Sequence, residues 1–424
     1  MPGQVERSNV NYINYVRQQS ELIRELIPEA TTSNLADIFK TLFSGYCPGK
    51  NEFLATLCNR IGMTYYSNRA YKNTLPFERG ALEWGNTAQE VYTNYLKARP
   101  YNPWNEDREL WKRSIPDVSS CYHKLDSQLV WDVTRNRNEL QTAFISEYGL
   151  DQMLGSIMTA LQSSKEYAAM NQTKTLLNEA AANGWMYPVQ IPAIASDTVE
   201  EVAVSLRTAS NWLLNPSTLF NPMGVWGYTP REDQILIVTP ATEAYFRTMI
   251  LPYAFNEQYV SYLQDNMVMI DSFADENIQF MLVDRLWFAI FNYLEQIEDI
   301  YNPDTMDWKI ILHVWKVYSA SPFVSALAFT TEASTVTNIT IDNQGGQLQV
   351  TKGQSLKILD TVTGTGLKPK TRNLEVTGGT QSYISQDGTL LVGQYETAAT
   401  LTVKATSNFD TTKTVQAQIT VNNP

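Results

Sequence analysis

The sequence predicts an α+β body followed by a small all-β module, two folding units of different kinds joined end to end. Three observations carry this. Composition breaks near Thr331: every Trp, Met, Cys and His precedes it, and of the aromatic residues only Tyr383, Tyr395 and Phe409 follow. Upstream, residues 151–183 form a long helical pattern, and helical and strand patterns then alternate over 197–332. Downstream, seven or so short Val/Thr/Ile/Leu runs recur at a spacing of about ten residues, the pattern of a small sandwich.

The elements can be justified in order. Ser8 or Asn9 caps a helix with Ile13, Val16, Leu22, Ile23 and Leu26 at helical spacing, stopped by Pro28. Asn34 opens a second helical piece, with Leu35, Ile38, Phe39, Leu42 and Phe43 on one face, that ends at Gly45. A third runs from Asn51 to Gly62. Residues 63–103 change character. MTYYSNRAY and ALEWGNTAQEVYTNYL flank the turn-like KNTLPFERG and read as a two-stranded arm. Its alternation is poor, so it has no obvious buried face of its own. A lone ribbon is marginal in water, so it must lean on something, and a neighbouring copy is the natural candidate.

The helix over 151–183 carries Leu154, Ile157, Met158 and Leu161 on one face, continued by Ala168, Leu176, Leu177 and Ala180. Gly184 is the stop, with Pro188 beyond. At about 1.5 Å per residue it makes a rod of about 50 Å. A helix follows at 197–213. ILIVT (235–239) is a buried-type strand, and Pro240 starts a helix in its first turn, where the missing N–H is harmless. MVMID and IQFMLVD are strands. Two long strand patterns, beginning WFAIFNYL and WKIILHVW, are joined by NPDTMD. The sheet is expected to be mixed or antiparallel. In the tail, Asp387-Gly388 marks a hairpin turn between YIS and TLLV. The tail's different composition suggests a unit that folds alone.

A chain of 424 residues exceeds one ordinary core. At 43% hydrophobic and 18% charged it is globular. No apolar stretch reaches 18 residues, which argues against a membrane partner. MPGQVERSNVNYINY lacks the basic and apolar regions of a signal peptide, so retention in the cytoplasm of the producing cell is expected. Cys47, Cys58 and Cys121 are too scattered for a disulfide frame or zinc site and read as reduced thiols. The tail's basic and acidic residues nearly balance, so the net charge of −12 sits in the body. An acidic body argues against tight nucleic-acid binding, which needs Lys and Arg on phosphates.

No phosphate loop, GxGxxG, HExxH or GxSxG is present. His313, in the apolar IILHVW, reads as structural. His123, in CYHKLD, has no obvious partner. Glu295, Glu298 and Asp299 lie among aromatics. They fit either the paired carboxylates of a glycosidase or the solvated faces of a strand and turn, and their spacing does not separate the two. No catalytic residue, cofactor or metal ligand is assigned, and no enzyme activity is expected.

The stretch Met267–Phe329 carries IDSFA, LVDRLWF, an NP turn before an aromatic strand, HVWKV, SASPF and ALAF. It resembles the C-terminal half of the major capsid protein of small phi-29-like podoviruses. TRNRNELQTAFISEYGLDQML resembles the segment leading into that family's long helix, and AQEVYTNYLKARPYNP its extended loop. The likeness spans about 60–330. The tail is similar to bacterial immunoglobulin-like group 2 modules through GTLLVG, ATLTVKATS and VQAQITV, although Leu374 replaces the Trp usual in the middle strand.

The resemblance implies the Hong Kong 97-type phage capsid fold. It maps 1–60 to an N-terminal arm, 61–103 to the extended loop and 104–187 to a peripheral domain with spine helix 151–183. The axial domain would be 188–318, with 319–332 returning to the peripheral domain and 333–424 forming an immunoglobulin-like domain. It further implies a virion shell protein of a tailed bacteriophage, made in the host cytoplasm. The chain would assemble with itself as hexamers and pentamers of an icosahedral shell around double-stranded DNA that it encloses without specific binding. A scaffolding protein and a portal are expected partners, with head-fibre or host-surface contact through 333–424. Arg69, Lys72, Glu78 and Arg79, near the loop tip, are candidates for contacts between subunits. The alternative is a carbohydrate-active or cell-wall-binding protein with an immunoglobulin-like accessory module.

Overall fold

The computed structural model describes residues 8–43, 71–73, 75, 77–82, 85–96, 98, 116–135, 149–250, 266–305, 307–342 and 348–423. The expected helix 51–62, the first strand of the arm up to residue 70, Cys47, Cys58 and Arg69 lie outside them. The chain divides into two compact units, one of 1–73, 126–171 and 292–316, the other of 74–125, 172–291 and 317–424.

In the first unit, α1 (Asn9–Gln19) begins at Ser8, whose hydroxyl accepts from Asn11 N at 3.4 Å. The expected single helix to Pro28 is two. Ser20 turns extended, ends α1 and caps α2 (Glu21–Leu26) by accepting from Ile23 N at 3.3 Å. A serine hydroxyl competes with the helix for backbone donors, so a break at Ser20 is locally satisfied. α3 spans Leu35–Phe43. Strand β4 (Ser127–Arg135) pairs antiparallel with β10 (Asp307–Ala320), from Trp308 opposite Arg135 to Lys316 opposite Ser127, and β9 (Phe288–Asn302) flanks β10 on its other side. Along β10, Trp308, Ile310, Leu312 and Val314 alternate inward and meet Ile13, Val16, Ile23, Phe39, Leu154, Ile157 and Leu161 in one core.

The long helix α4 (Gly149–Ala182) is 34 residues. Its end is as expected. Gly184 takes φ +71°, Gly184 N donates to Ala181 O at 3.1 Å and Trp185 N to Ala180 O at 2.9 Å, which satisfies the last carbonyls.

The second unit holds a five-stranded mixed sheet in the order β5-β11-β8-β6-β7, comprising Tyr187–Gln190, Ala326–Thr330, Ile278–Asp284, Gln234–Val238 and Met267–Met269. β6 and β11 are buried at every position, so they read as continuous apolar runs rather than alternating ones. Helix α5 (Val199–Leu213) covers the sheet with Val202, Leu206 and Leu213 in the same core as Leu236, Phe280 and Phe329. α6 (Pro240–Tyr245) starts on Pro240, with Thr239 as its cap. Strand β1 (Glu78–Ala81) borders β9, and β2 (Thr87–Thr93) pairs antiparallel with β3 (Val118–Lys124) in a two-stranded ribbon.

The tail, also in this unit, forms nine strands between Thr335 and Asn422, among them β16 (Arg372–Thr377), β17 (Tyr383–Ile384), β18 (Thr389–Leu391), β19 (Thr400–Ser407) and β20 (Thr414–Asn422). It has its own cores, one around Leu390, Leu401, Val403 and Ile419 and one around Val336, Ile339 and Leu374. The turn at Asp387-Gly388 joins β17 to β18, with Gly388 at φ +91°.

Candidate functional site

The inner face of the β2–β3 ribbon is where the polar chemistry of the second unit concentrates. In a ribbon, alternate residues share a face, and register puts Ala88 opposite His123, Glu90 opposite Cys121 and Tyr92 opposite Ser119. These residues face the segment that ends β10. His123 is 1% exposed; its Nδ1 lies 2.8 Å from Ser319 Oγ and its Nε2 3.1 Å from Glu90 Oε2. Glu90 also takes a hydrogen bond from Ser321. The Tyr92 ring stacks on Phe323 with centroids 5.5 Å apart, and its hydroxyl donates to the Trp226 carbonyl. Three inward residues therefore meet three alternate positions, 319, 321 and 323, like rungs.

Charge completes this clasp. Arg79 Nη1 lies 3.1 Å from Glu90 Oε1, and its other terminal nitrogen donates to the Leu286 carbonyl. Burial works to raise the Glu90 carboxyl. The hydrogen bonds from His123 and Ser321 and the Arg79 guanidinium outweigh it, so Glu90 titrates below the usual carboxylate range. Since ionised Glu90 only accepts, His123 donates from Nε2 and its Nδ1 accepts from Ser319 in the neutral ring. The Cys121 thiol is pushed up by burial and by the Glu90 charge, which makes it a poor nucleophile. Close by in sequence to Leu286, burial raises the Asp284 carboxyl even though Thr229 Oγ1 and Leu286 N each donate to it at 2.7 Å.

Two expectations are corrected. His123 has partners, and the arm is not a ribbon closed within 63–103: its second strand pairs with 118–124, and Glu78–Ala81 borders β9. The inward face exists, but it is built of Ser119, Cys121, His123 and Glu90, which a search for alternating apolar residues does not register. The outer face is mixed: Thr87, Gln89, Thr93, Ser120 and Lys124 share it with Val91, 55% exposed, Val118, 42%, and Tyr122, 58%.

Of the four candidate contact residues, Arg69 lies outside the described residues. Lys72 is exposed, on a backbone strapped to α4 by Tyr71 N to Ser163 Oγ at 3.3 Å and Asn73 N to Glu166 Oε2 at 3.1 Å. Glu78 is exposed in β1, and Arg79 belongs to the clasp. The carboxylates weighed for glycosidase chemistry are spread along a strand: Glu295 pairs with Lys165 Nζ at 2.7 Å, and Glu298 accepts from Gln296. His313 lies on β10 opposite Val130. Among the described residues no group of His, Cys, Asp or Glu is placed to hold a metal ion, and no helix is long and apolar enough to cross a membrane.

An extended ribbon, a long helix beside a β-hairpin sheet and a mixed five-stranded sheet together make the Hong Kong 97-type phage capsid fold. The capsid structure of Staphylococcus phage Andhra shares this fold at a TM-score of 0.52, with 12% identity, over 63% of this chain and 86% of that one. The chain belongs to the Phi29-like phage major capsid protein family, which it matches over residues 13–330. It is 29% identical to the major capsid protein of Bacillus phage B103 over 408 residues, covering 94% of this chain and 90% of that protein. Against the major capsid protein of Bacillus phage PZA it is 28% identical over 418 residues, with the same two shares. It is thus a major capsid protein of a tailed bacteriophage, a self-assembling component of the virion shell. The family match ends at Thr330, where composition breaks.

Proposed function

We propose that this chain assembles as hexamers and pentamers of an icosahedral shell around double-stranded DNA, and that the outer face of its ribbon seats on an adjoining copy. The observation that carries this is the split between the ribbon's two faces. The inner one is polar and satisfied within the chain, while the outer one leaves Val91, Val118 and Tyr122 exposed. Exposed Val91, Val118 and Tyr122 among polar neighbours on a two-stranded ribbon offer a surface for another protein. Lys72 and Glu78, both exposed, supply charged contacts at that junction, with Arg69 as a further candidate. Arg79 supports the junction indirectly, by holding Glu90.

The acidic body suits a shell that confines DNA without gripping it. In this reading a scaffolding protein and a portal guide assembly, and the protein has no enzyme activity. Residues 1–60 are the N-terminal arm, 61–103 the extended loop, 104–187 the peripheral domain and 188–318 the axial domain, with 319–332 returning to the peripheral one. Residues 333–424 are an immunoglobulin-like domain available to a head fibre or the host surface. Negative-stain microscopy of the purified protein, expressed with and without the scaffolding protein of its phage, tests the assembly. Closed shells are expected, and monomers under both conditions would overturn it.

A further inference from the structure

The tail has its own cores, yet it does not merely hang from the linker. Two strips of it, 367–372 and 407–409, lie on two strips of the body, 184–187 and 218–224. Lys370 N donates to Gly184 O at 2.9 Å, and Asn408 Nδ2 to Thr218 O at 3.3 Å. Phe409, one of only three aromatic residues in the tail, meets Tyr187 edge-on with ring centroids 5.5 Å apart. Asn408 N donates to Thr371 O at 3.1 Å, which ties the two tail strips to each other. Pro369 and Leu367 are buried between these contacts.

Two glycines show how close the approach is. A Cβ on Gly184 would stand 1.6 Å from the Lys368 carbonyl oxygen, and one on Gly224 2.7 Å from that of Arg372. Both glycines also take positive φ, +71° and +64°, so each is required once by its own backbone and again by the neighbouring strand. The linker is pinned as well. Thr331 N donates to Asn277 O at 3.0 Å, and Ser334 Oγ accepts from Leu367 N at 3.1 Å.

We propose that residues 333–424 are held on the body in one fixed orientation by this glycine-bedded seam, so that tail and underlying sheet move as one piece and the 331–335 linker is not a hinge. A tethered module could tolerate side chains at its point of nearest approach. A seam in which backbone lies on backbone at two separate places admits none, and each place fixes one direction of the module.

Amide hydrogen exchange on the full-length protein, resolved to single residues, tests this. The Lys370 amide has Gly184 O as its acceptor, so its protection reports the seam. In the wild-type chain Lys370 should exchange slower than a free amide by about tenfold or more. Gly224→Ala and Phe409→Ala should each remove that protection while 400–407 and 414–422 stay protected. Gly353→Ala is the control: it imposes the same left-handed strain, at φ +82°, but its Cβ would meet nothing nearer than 3.9 Å, so Lys370 should remain slow. If Gly224→Ala unfolds the body, Phe409→Ala, which removes only a ring, decides the question. Free exchange at Lys370 in the wild-type chain, undiminished protection in Phe409→Ala, or equal loss in Gly353→Ala would overturn the proposal.

Discussion

His123 Nε2 lies 3.1 Å from Glu90 Oε2 across the two strands of the ribbon, and this pair makes one carboxylate the hub of the clasp. Glu90 draws on a histidine in β3, a serine beyond the end of β10 and an arginine in β1. A group with partners from three other chain segments cannot be removed without leaving several of them unsatisfied.

Glu90→Gln keeps the shape and removes the charge, so it should cost about 2 kcal/mol, the range of hydrogen bonds to charged groups. Because folding lowers the Glu90 pKa, its contribution is present in full above the unfolded value of about 4.3 and is lost as pH falls through the folded one. The melting temperatures of the wild-type and Glu90→Gln proteins should therefore differ at neutral pH and draw together as pH falls below the unfolded value. A constant gap across that range would show that Glu90 acts through packing alone.

Lys72 and Arg79 should separate assembly from folding. Lys72→Glu, on an exposed side chain, should shift stability by no more than about 0.5 kcal/mol yet reduce the yield of shells. Arg79→Ala should lower the melting temperature of the unassembled subunit, since it takes a cation from Glu90. Calorimetry of the subunit with particle counts by microscopy reads both. Normal shells from Lys72→Glu would remove it from the junction.

Glu396 makes a comparable prediction for the tail. It is 1% exposed; burial opposes its charge, but the Ser382 hydroxyl and the amides of Thr380, Gln381 and Ala398 more than compensate and hold its carboxyl far below the usual range. Glu396→Gln can accept at only one oxygen, so the loop over 378–398 should loosen at a cost of about 3 kcal/mol. As for Glu90, the wild-type advantage should fade only in strong acid. Unfolding followed by far-ultraviolet circular dichroism measures it, and an unchanged transition in Glu396→Gln would show that the amide donors find other partners.

Glu295→Gln and Glu298→Gln should each change stability by less than about 1 kcal/mol, as expected for pairs at a partly solvated surface. Neither should remove glycan hydrolysis, because the pure protein should have none to lose. A hydrolytic rate on peptidoglycan that falls in one of these variants would require a catalytic account of the strand.

Local chemistry was legible wherever one residue decides a local question. Ser8 caps α1, Pro240 opens α6, Gly184 ends the long helix, and Asp387-Gly388 turns the tail hairpin, each through its own hydrogen-bonding or backbone preference. The break at Ser20 was equally local but was masked by Leu22, Ile23 and Leu26, whose spacing continues the apolar face. The clasp was not legible, because its residues sit at 79, 90, 123, 319 and 321 and nothing in any one segment announces the others.

The sequence by itself determined the α+β class, the long helix, the short-stranded tail and, through Met267–Phe329, the capsid family. These follow from apolar periodicity, turn residues and composition, which act over a few residues at a time. Only the tertiary structure decided which face of the ribbon is inward, that His123 is buried between Ser319 and Glu90, and that the tail lies against Gly184 and Gly224. Those outcomes depend on buried polar groups finding partners hundreds of residues away and on backbones approaching where no side chain intervenes. Neither leaves a periodic trace in the chain.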